Sequence, residues 1–595
     1  MTTEAQTPPR RSVLDAVALK PGGRLERIRR RLVGSADVPQ RRGLTAYVLF
    51  IAVLVGYVLQ QLASQASIFA NGSMWAEMAT NYYQRTLDTS WFDQLFATDA
   101  GYIPLPQRII ALVLSRIGVS TEVIPYAYTM AGLVLGGLLV AAICLPHFRP
   151  LIGNDFLRAA AAAAILLIAD FETRTFINFT YFAIVFTIAV GALAIASPRR
   201  VPAWAWVLPL LMISKPAVIT VLPFVLFAAI LSGRRFRLIA LVSSVAALVQ
   251  LATLWRSLQS ASLYQDNPDS SLFTKGLSAL TNFLGWLATI VLGQNGNAPV
   301  AVQLVVGAVV LALVVLIVIV DRRPTSALVI GGLSAVLFGC ALNATTYSLV
   351  FTSDLSMVTG VTDRRVFGVI EGLMVVVVAL VATLSERRWH VIPAREGVRR
   401  WMAAAGVVVF LAWFVLAGWA HVARAASAPH LFGSSGVSEW QRDAGLLDAG
   451  VEVVCTPIDP FGWVAGRDCG NLDFANSREV PLVFVPGRTA DEITLEAPVG
   501  ATAGQVESLA IVVRPGSGDG TVSGTVTLVS ADGSEIEMVG QADVPAEGGI
   551  LQFDAPRGPA TDVVEARISF DAPVSVAEHA GAGGQMVPAV LWMGR

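Results

Sequence analysis

The sequence predicts an α-helical polytopic membrane protein of about eleven transmembrane helices, followed by a C-terminal extracytoplasmic β-sandwich or jelly-roll domain. Three observations predict it. The 595 residues are 54% hydrophobic and 14% charged, with a mean hydropathy of +0.63, whereas ordinary soluble domains carry about 25% charged residues. Apolar runs recur between Leu44 and Val422, and the residues after them change character. Basic residues alternate from loop to loop. With Met1 inside, the inner tail and loops hold 24 of the 42 Lys and Arg, the outer loops nine and the C-terminal tail nine. That asymmetry is the positive-inside pattern, and it places the tail outside.

Residues 1–43 are polar and arginine-rich and read as a disordered basic cytoplasmic tail. The first apolar run follows too long a leader for a cleaved signal peptide, so it reads as a retained helix. A helix crossing the hydrocarbon needs roughly 20 residues. Spans are expected at 44–63, 124–145, 156–170, 177–197, 202–214, 216–232, 237–255, 299–320, 325–345, 366–385 and 401–422. Together they make a body over 44–425. The fifth span is short and Pro216 interrupts continuity, so a broken or tilted pair is expected there. Residues 277–293 (LSALTNFLGWLATIVLG) are placed as a re-entrant or interfacial helix. Counting them as a span would put Arg322-Arg323 and the basic cluster at 387–400 outside.

The first outer loop, 64–123, is expected to carry an amphipathic surface helix with Trp75, Met78, Tyr82 and Thr86 at helical spacing and aromatics at headgroup level. Beyond the body, 426–595 is expected to be mostly β. Alternation in Leu509–Arg514, Thr521–Ser530, Val564–Phe570 and Pro588–Trp592, separated by Gly, Pro and Asp turns, reads as short strands. Residues 430–500 read as an irregular α/β preface. Cys455 and Cys469 lie there, and outside the membrane they suit a disulfide closing a loop worth roughly 3 kcal/mol; two free thiols are the other reading. Cys144 and Cys340 fall in apolar runs and read as buried fillers.

Ionisable groups beside an apolar body are candidates for function, because a charge at the bilayer centre costs roughly 2.5–3.5 kcal/mol or more. On the outer side, Glu77 sits among apolar neighbours and Asp99 precedes Gly101-Tyr102. A carboxylate held there suits the removal of a proton from an acceptor hydroxyl; each could equally solvate a loop. Asp88 and Asp93 lie in a polar stretch and read as solvated. Arg174, in Asp170-Phe171-Glu172-Thr173-Arg174, is either cavity-lining or part of a plain turn. Lys215 is one of only three lysines and stands between two apolar runs, where it suits a phosphate or snorkelling to headgroups. Arg364 and Arg365 break the inside bias and suit bidentate binding of a phosphate or diphosphate, or lipid headgroups. Glu371, six residues on, could pair with an arginine or line the cavity.

There is no HExxH, Walker A, GxSxG or CxxC. A net charge of −1 gives no reason for a nucleic-acid partner.

A multispan body, an acidic first outer loop with WAEMATNYYQ, and outer-side Lys and Arg-Arg residues together resemble the GT-C membrane glycosyltransferases. The exported β-domain is similar to the arrangement in actinobacterial arabinofuranosyl- and mannosyltransferases of cell-wall assembly. The resemblance implies transfer of a sugar from a polyprenyl-phosphate donor to a cell-envelope glycan or lipid acceptor on the outer face. It implies Glu77 as base or metal carboxylate and Asp99 as second acid, with a divalent cation (Mg, Mn or Ca) possible. Lys215, Arg364 and Arg365 are expected to contact phosphate on chemical grounds. Ala76-Glu77 stands where the family often has an Asp-Glu pair. Two rival readings are a non-catalytic glycan-binding envelope assembly protein and a transporter or flippase of a lipid-linked intermediate.

Overall fold

Apolar runs bounded by arginines become helices, and alternating stretches become strands. The computed structural model describes residues 23–34, 43–64, most of 72–260, 271–292, 298–346, 368–385, 440–441, 444 and the strands of 454–594. The chain divides into two units. One comprises 1–64, 96–109 and 130–426; the other comprises 65–95, 110–129 and 427–595. Two earlier segments, 65–95 and 110–129, therefore group with the tail.

In the first unit, α1 is Arg24–Val33 and α2 is Leu44–Ser64. Within the loop, the short α3 (Arg85–Asp88) and all but the last residue of α4 (Trp91–Phe96) belong to the second unit, and α5 (Leu105–Arg116) and α6 (Ile124–Ala141) are each divided between the two. There follow α7 (Asp155–Ile168), α8 (Phe182–Ala196), the short α9 (Leu208–Met212) and α10 (Pro216–Ile219), α11 (Leu222–Leu231), α12 (Arg234–Ser260), α13 (Leu272–Leu292), α14 (Val300–Asp321), α15 (Thr325–Thr346) and α16 (Val369–Ser385).

Among the described residues seven helical stretches are long and apolar enough to cross a membrane, within 44–63, 124–144, 179–196, 234–256, 272–292, 300–320 and 325–344. Burial sorts them. The stretch 179–196 is almost wholly enclosed, whereas α2, α12 and α14 leave large apolar side chains such as Ile51, Leu241 and Val305 exposed. Exposed apolar surface on that scale marks a surface meant for a non-aqueous neighbour, which associates this unit with a membrane.

Several expectations are corrected. The basic tail is not wholly irregular, because Arg24–Val33 is helical. Leu25, Ile28 and Leu32 recur at helical spacing, which an estimate from composition alone ignores. Residues 277–292 belong to the longer helix α13, itself of membrane length. Expected span 156–170 is the 14-residue α7. The pair around Pro216 is broken, as expected, into α9, α10 and α11. The expected span 401–422 lies outside the described residues.

The second unit contains a π-helix, Met78–Gln84, where the amphipathic surface helix was expected. Trp75, Met78 and Tyr82 are buried as their spacing predicts, but so are Ala79, Asn81 and Tyr83. Trp75, Tyr82 and Tyr83 are therefore packed in protein, whereas Trp91, Phe92 and Phe96 of the same loop are exposed. The cover is visible: Trp440 is 1% exposed, meets the Tyr83 ring edge-on at 5.1 Å, and donates its indole N–H to the Thr121 carbonyl at 3.0 Å. Gln441 donates to the carbonyls of Gly72 and Glu122, and the Tyr83 hydroxyl pairs with that of Thr121 at 2.6 Å.

The rest of this unit is antiparallel β. A hairpin of β1 (Val454–Ile458) and β2 (Trp463–Arg467) precedes a nine-stranded sheet. The sheet is built from β3 (Arg478–Phe484), β4 (Ile493–Glu496), β5 (Ala503–Pro515), β6 (Gly520–Ser530), β7 (Glu535–Val544), β8 (Gly549–Asp554), β9 (Thr561–Phe570), β10 (Val574–Val576) and β13 (Ala589–Gly594). Its order is β10-β5-β13-β3-β4-β9-β6-β7, with β8 on β5; β11 (His579–Ala580) and β12 (Met586–Val587) form a small separate pair. Alternate residues of β6, such as Val522, Val526 and Leu528, are buried and their neighbours are not, the period-2 signature of a sheet with one covered face. They share one core with Leu482, Leu509 and Phe553, each contributing roughly 1.5–3 kcal/mol on burial. Asp532-Gly533 makes the β6–β7 turn, with Gly533 at φ +82°. Three expected strand stretches lie within β5, β6 and β9, and residues 589–592 of the fourth lie in β13. Within the expected irregular α/β stretch 430–500, β3 and β4 are members of the main sheet.

Candidate functional site

The site begins with a proline. Pro216 excludes the preceding residue from the helical region by clash with its ring, and Lys215 is accordingly extended, at φ −105° and ψ 143°. The helix that would have run from α9 into α10 is broken there, freeing backbone carbonyls in an apolar setting where each unsatisfied group costs several kcal/mol. Both are taken up. The Leu105 N–H donates to the Ile213 carbonyl at 3.2 Å, and the Gln250 side-chain amide donates to the Ser214 carbonyl at 2.9 Å.

Gln250, fully buried within α12, is the fastener. Besides Ser214, its amide donates to the Ile103 carbonyl at 3.2 Å, and its own oxygen accepts from the Ile103 N–H at 2.9 Å. It thereby fixes the loop 99–104 to the break. Asp99 and Tyr102 pair through both backbone hydrogen bonds, at 2.8 and 3.0 Å, around Gly101 at φ +82°.

Three side chains meet as a result. Lys215, 6% exposed, donates to the Tyr102 hydroxyl, and its Nζ lies 4.7 Å from the Tyr102 ring centroid and 6.0 Å from that of Tyr181. The Tyr102 hydroxyl donates to Asp99 Oδ2 at 3.3 Å, and Asp99 is 4% exposed. A buried ammonium is thus held by a phenol and two aromatic faces, with a carboxylate one residue removed. Aromatic faces favour a cation, so the two rings and the phenol suit the burial of the Lys215 ammonium here.

The other expected residues fall elsewhere. Glu371 is the third residue of α16, and its carboxylate accepts from the N–H of Gly368, the residue before the helix, at 2.6 Å. This is the backward half of a capping box. Gly368, at φ +97°, packs so closely on Ala217 that a Cβ there would be 3.2 Å from the alanine methyl. The start of α16 thus lies against the first turn after Lys215. Arg174 is 3% exposed and donates to Gln61 Oε1 at 2.7 Å and to the carbonyls of Leu167 and Ala169. It closes the C-terminal end of α7, where a cation meets the helix dipole favourably, and ties it to α2. Glu77, half-buried, immediately precedes the π-helix and belongs to the second unit, whereas Asp99 belongs to the first. Single π-helical turns occur frequently at functional sites. Arg364, Arg365 and Cys469 lie outside the described residues, and the proposed Cys455–Cys469 disulfide with them. Cys144 and Cys340 are buried thiols, as their apolar runs predict.

Among the described residues no group of three or more His, Cys, Asp or Glu side chains gathers in metal-binding geometry. Sequence reasoning missed Tyr102, Tyr181 and Gln250. Gln250 carried a signal, a polar amide inside the apolar run LVQLA, because such residues in spanning helices usually bind another element. Comparison with protein-family models, with characterised proteins and with solved structures finds no match to this chain.

Proposed function

We propose that this protein is a membrane glycosyltransferase that moves a sugar from a polyprenyl-phosphate donor to a cell-envelope glycan or lipid acceptor on the outer face of the membrane. The observation that carries the proposal is the buried Lys215 ammonium at a helix break, beside Tyr102, Tyr181 and Asp99. Discontinuous helices at membrane depth serve ligand sites, because irregular backbone survives there only inside protein or along a cavity. On this reading Lys215 receives the donor phosphate, with Arg364 and Arg365 adding bidentate contacts. Asp99 or Glu77 takes the acceptor hydroxyl proton as that oxygen attacks the anomeric carbon and polyprenyl phosphate departs.

Sidedness belongs to the same proposal. Arg29 of α1 donates to the Ile195 and Ala196 carbonyls at the end of α8, and a Cβ on Gly34, just after α1, would lie 2.7 Å from the Arg322 carbonyl oxygen. The exit of α8 and the α14–α15 turn therefore share one arginine-rich end, the cytoplasmic one by the positive-inside rule. Among the described residues six of the seven helices of membrane length fall on expected spans, 272–292 being the seventh, and on this reading the second unit lies outside as a β domain.

The test is transfer of labelled sugar from a panel of polyprenyl-phosphate sugars in membranes carrying wild type, Lys215→Met, Asp99→Asn or Glu77→Gln. Transfer from one donor, lost at least ~100-fold in folded Lys215→Met, supports the enzyme. If no donor is consumed while labelled lipid crosses the bilayer, the broken helix belongs to a transporter and the enzyme reading falls.

A further inference from the structure

Helix α1 has three different stripes. At about 100° per residue, Glu26, Arg29 and Val33 share one side, Leu25, Ile28 and Leu32 the next, and Arg24, Arg27 and Arg31 the third. The first stripe is docked. Val33 is 1% exposed, and Arg29 caps the C-terminal carbonyls of α8 at 3.3 Å each while Glu26 binds it at 2.7 Å. The cationic stripe is exposed, and so is Ile28 on the apolar one, at 38%. Glu26, the only acid of the helix, is bound by Arg29 and Arg30.

The end on which α1 sits adds charge of the same sign. Arg199 and Arg200, exposed, follow α8. Gly233, one residue before Arg234, lies so near Pro198 that a Cβ would be 2.7 Å from its carbonyl oxygen, and Arg235 donates to the Val201 carbonyl at 2.8 Å. Arg322 stands beside Gly34. Adjacent apolar and cationic stripes on a helix at the arginine-rich end of an apolar bundle match a layer with acyl carbon on one side and phosphate on the other.

We propose that α1 is an interfacial helix that binds anionic phospholipid headgroups through Arg24, Arg27 and Arg31, with Ile28 and Leu32 at the acyl boundary. Lipid binding holds Arg29 in the end of α8. The occupant is a lipid surface and not a nucleic acid or acidic protein, because the cationic stripe runs beside the apolar one and the helix is docked at the end of membrane-length helices.

The test is hydrogen exchange of residues 24–33 in the full-length protein in nanodiscs of phosphatidylcholine alone and of phosphatidylcholine mixed with phosphatidylglycerol. Exchange is expected to slow on the order of a hundredfold in the mixture, the product of three arginine–headgroup contacts. The effect should vanish in the Arg24→Gln, Arg27→Gln, Arg31→Gln triple variant. High salt on the wild type should reproduce that loss without any substitution, and unchanged exchange of β6 and β9 certifies the fold. Equal exchange in the two lipids overturns the proposal, whether it is fast, with α1 undocked, or slow, with protein contacts alone holding it. Neither result bears on sugar transfer.

Discussion

Lys215 donates to the hydroxyl of Tyr102, a residue 113 positions earlier in the chain, and the same hydroxyl donates to Asp99. One phenol therefore stands between a buried cation and a buried carboxylate. Tyr102→Phe keeps the ring under the ammonium and deletes the link. A hydrogen bond to a charged group contributes about 1.5–3 kcal/mol, so sugar transfer in membranes should fall roughly ten- to a hundredfold with the protein still folded. Full transfer by this variant would remove Tyr102 from the setting of Lys215.

Gln250 satisfies three backbone groups on two other segments. Gln250→Leu fills the volume but strands those groups, each at about 1–3 kcal/mol. Denaturation of the purified protein in detergent should show a loss of at least that size. A midpoint matching wild type would mean that the break at 213–215 finds other partners.

Trp440 is buried against Tyr83 and bonded to Thr121. Trp440→Ala should cost about 3–5 kcal/mol and open the segment around 440 to limited proteolysis. Trp440→Phe, which loses only the N–H bond, should cost about 1 kcal/mol. Equal protease resistance in all three proteins would show that the indole does not fasten the loop.

Gly368 combines φ +97° with contact to Ala217 and Ile184. Gly368→Ala must strain the backbone by about 1–3 kcal/mol and press on the turn after Lys215. Thermal stability should fall, and transfer with it, while Glu371→Ala should lose its helix cap, about 1 kcal/mol. The reverse order of the two variants in a melting series would contradict this assignment.

The Arg29 guanidinium, and then that of Arg30, hold the Glu26 carboxyl at about 2 against an ordinary 4.5. A depressed carboxyl lends stability above its ordinary value and loses it as pH falls towards the folded one. Docking of α1, followed by hydrogen exchange, should be constant above about pH 5 and loosen between about 4.5 and 2. In Glu26→Gln that acid-dependent step should be missing.

Much of the fold was legible because its signals are local. Apolar runs bounded by arginines became helices, β6 kept its period of two, and Pro216 broke the helix where its ring requires. Lys215 stood out as a charge in an apolar stretch. Tyr82 and Tyr83 misled, because a helix covered by protein carries the same spacing as one lying on lipid. Only the distant Trp440 decides between them.

By itself, then, the sequence determined where this chain is apolar, where it alternates and which residues cannot be buried without a partner. The tertiary structure alone decided the partners: Lys215 with Tyr102, Gln250 with Ile103 and Ser214, Arg29 with the end of α8, Arg174 with Gln61. The physical reason is range. Periodicity and backbone sterics act within a few residues, whereas a buried polar group takes whichever partner the packed chain brings to it, from tens to more than a hundred positions away.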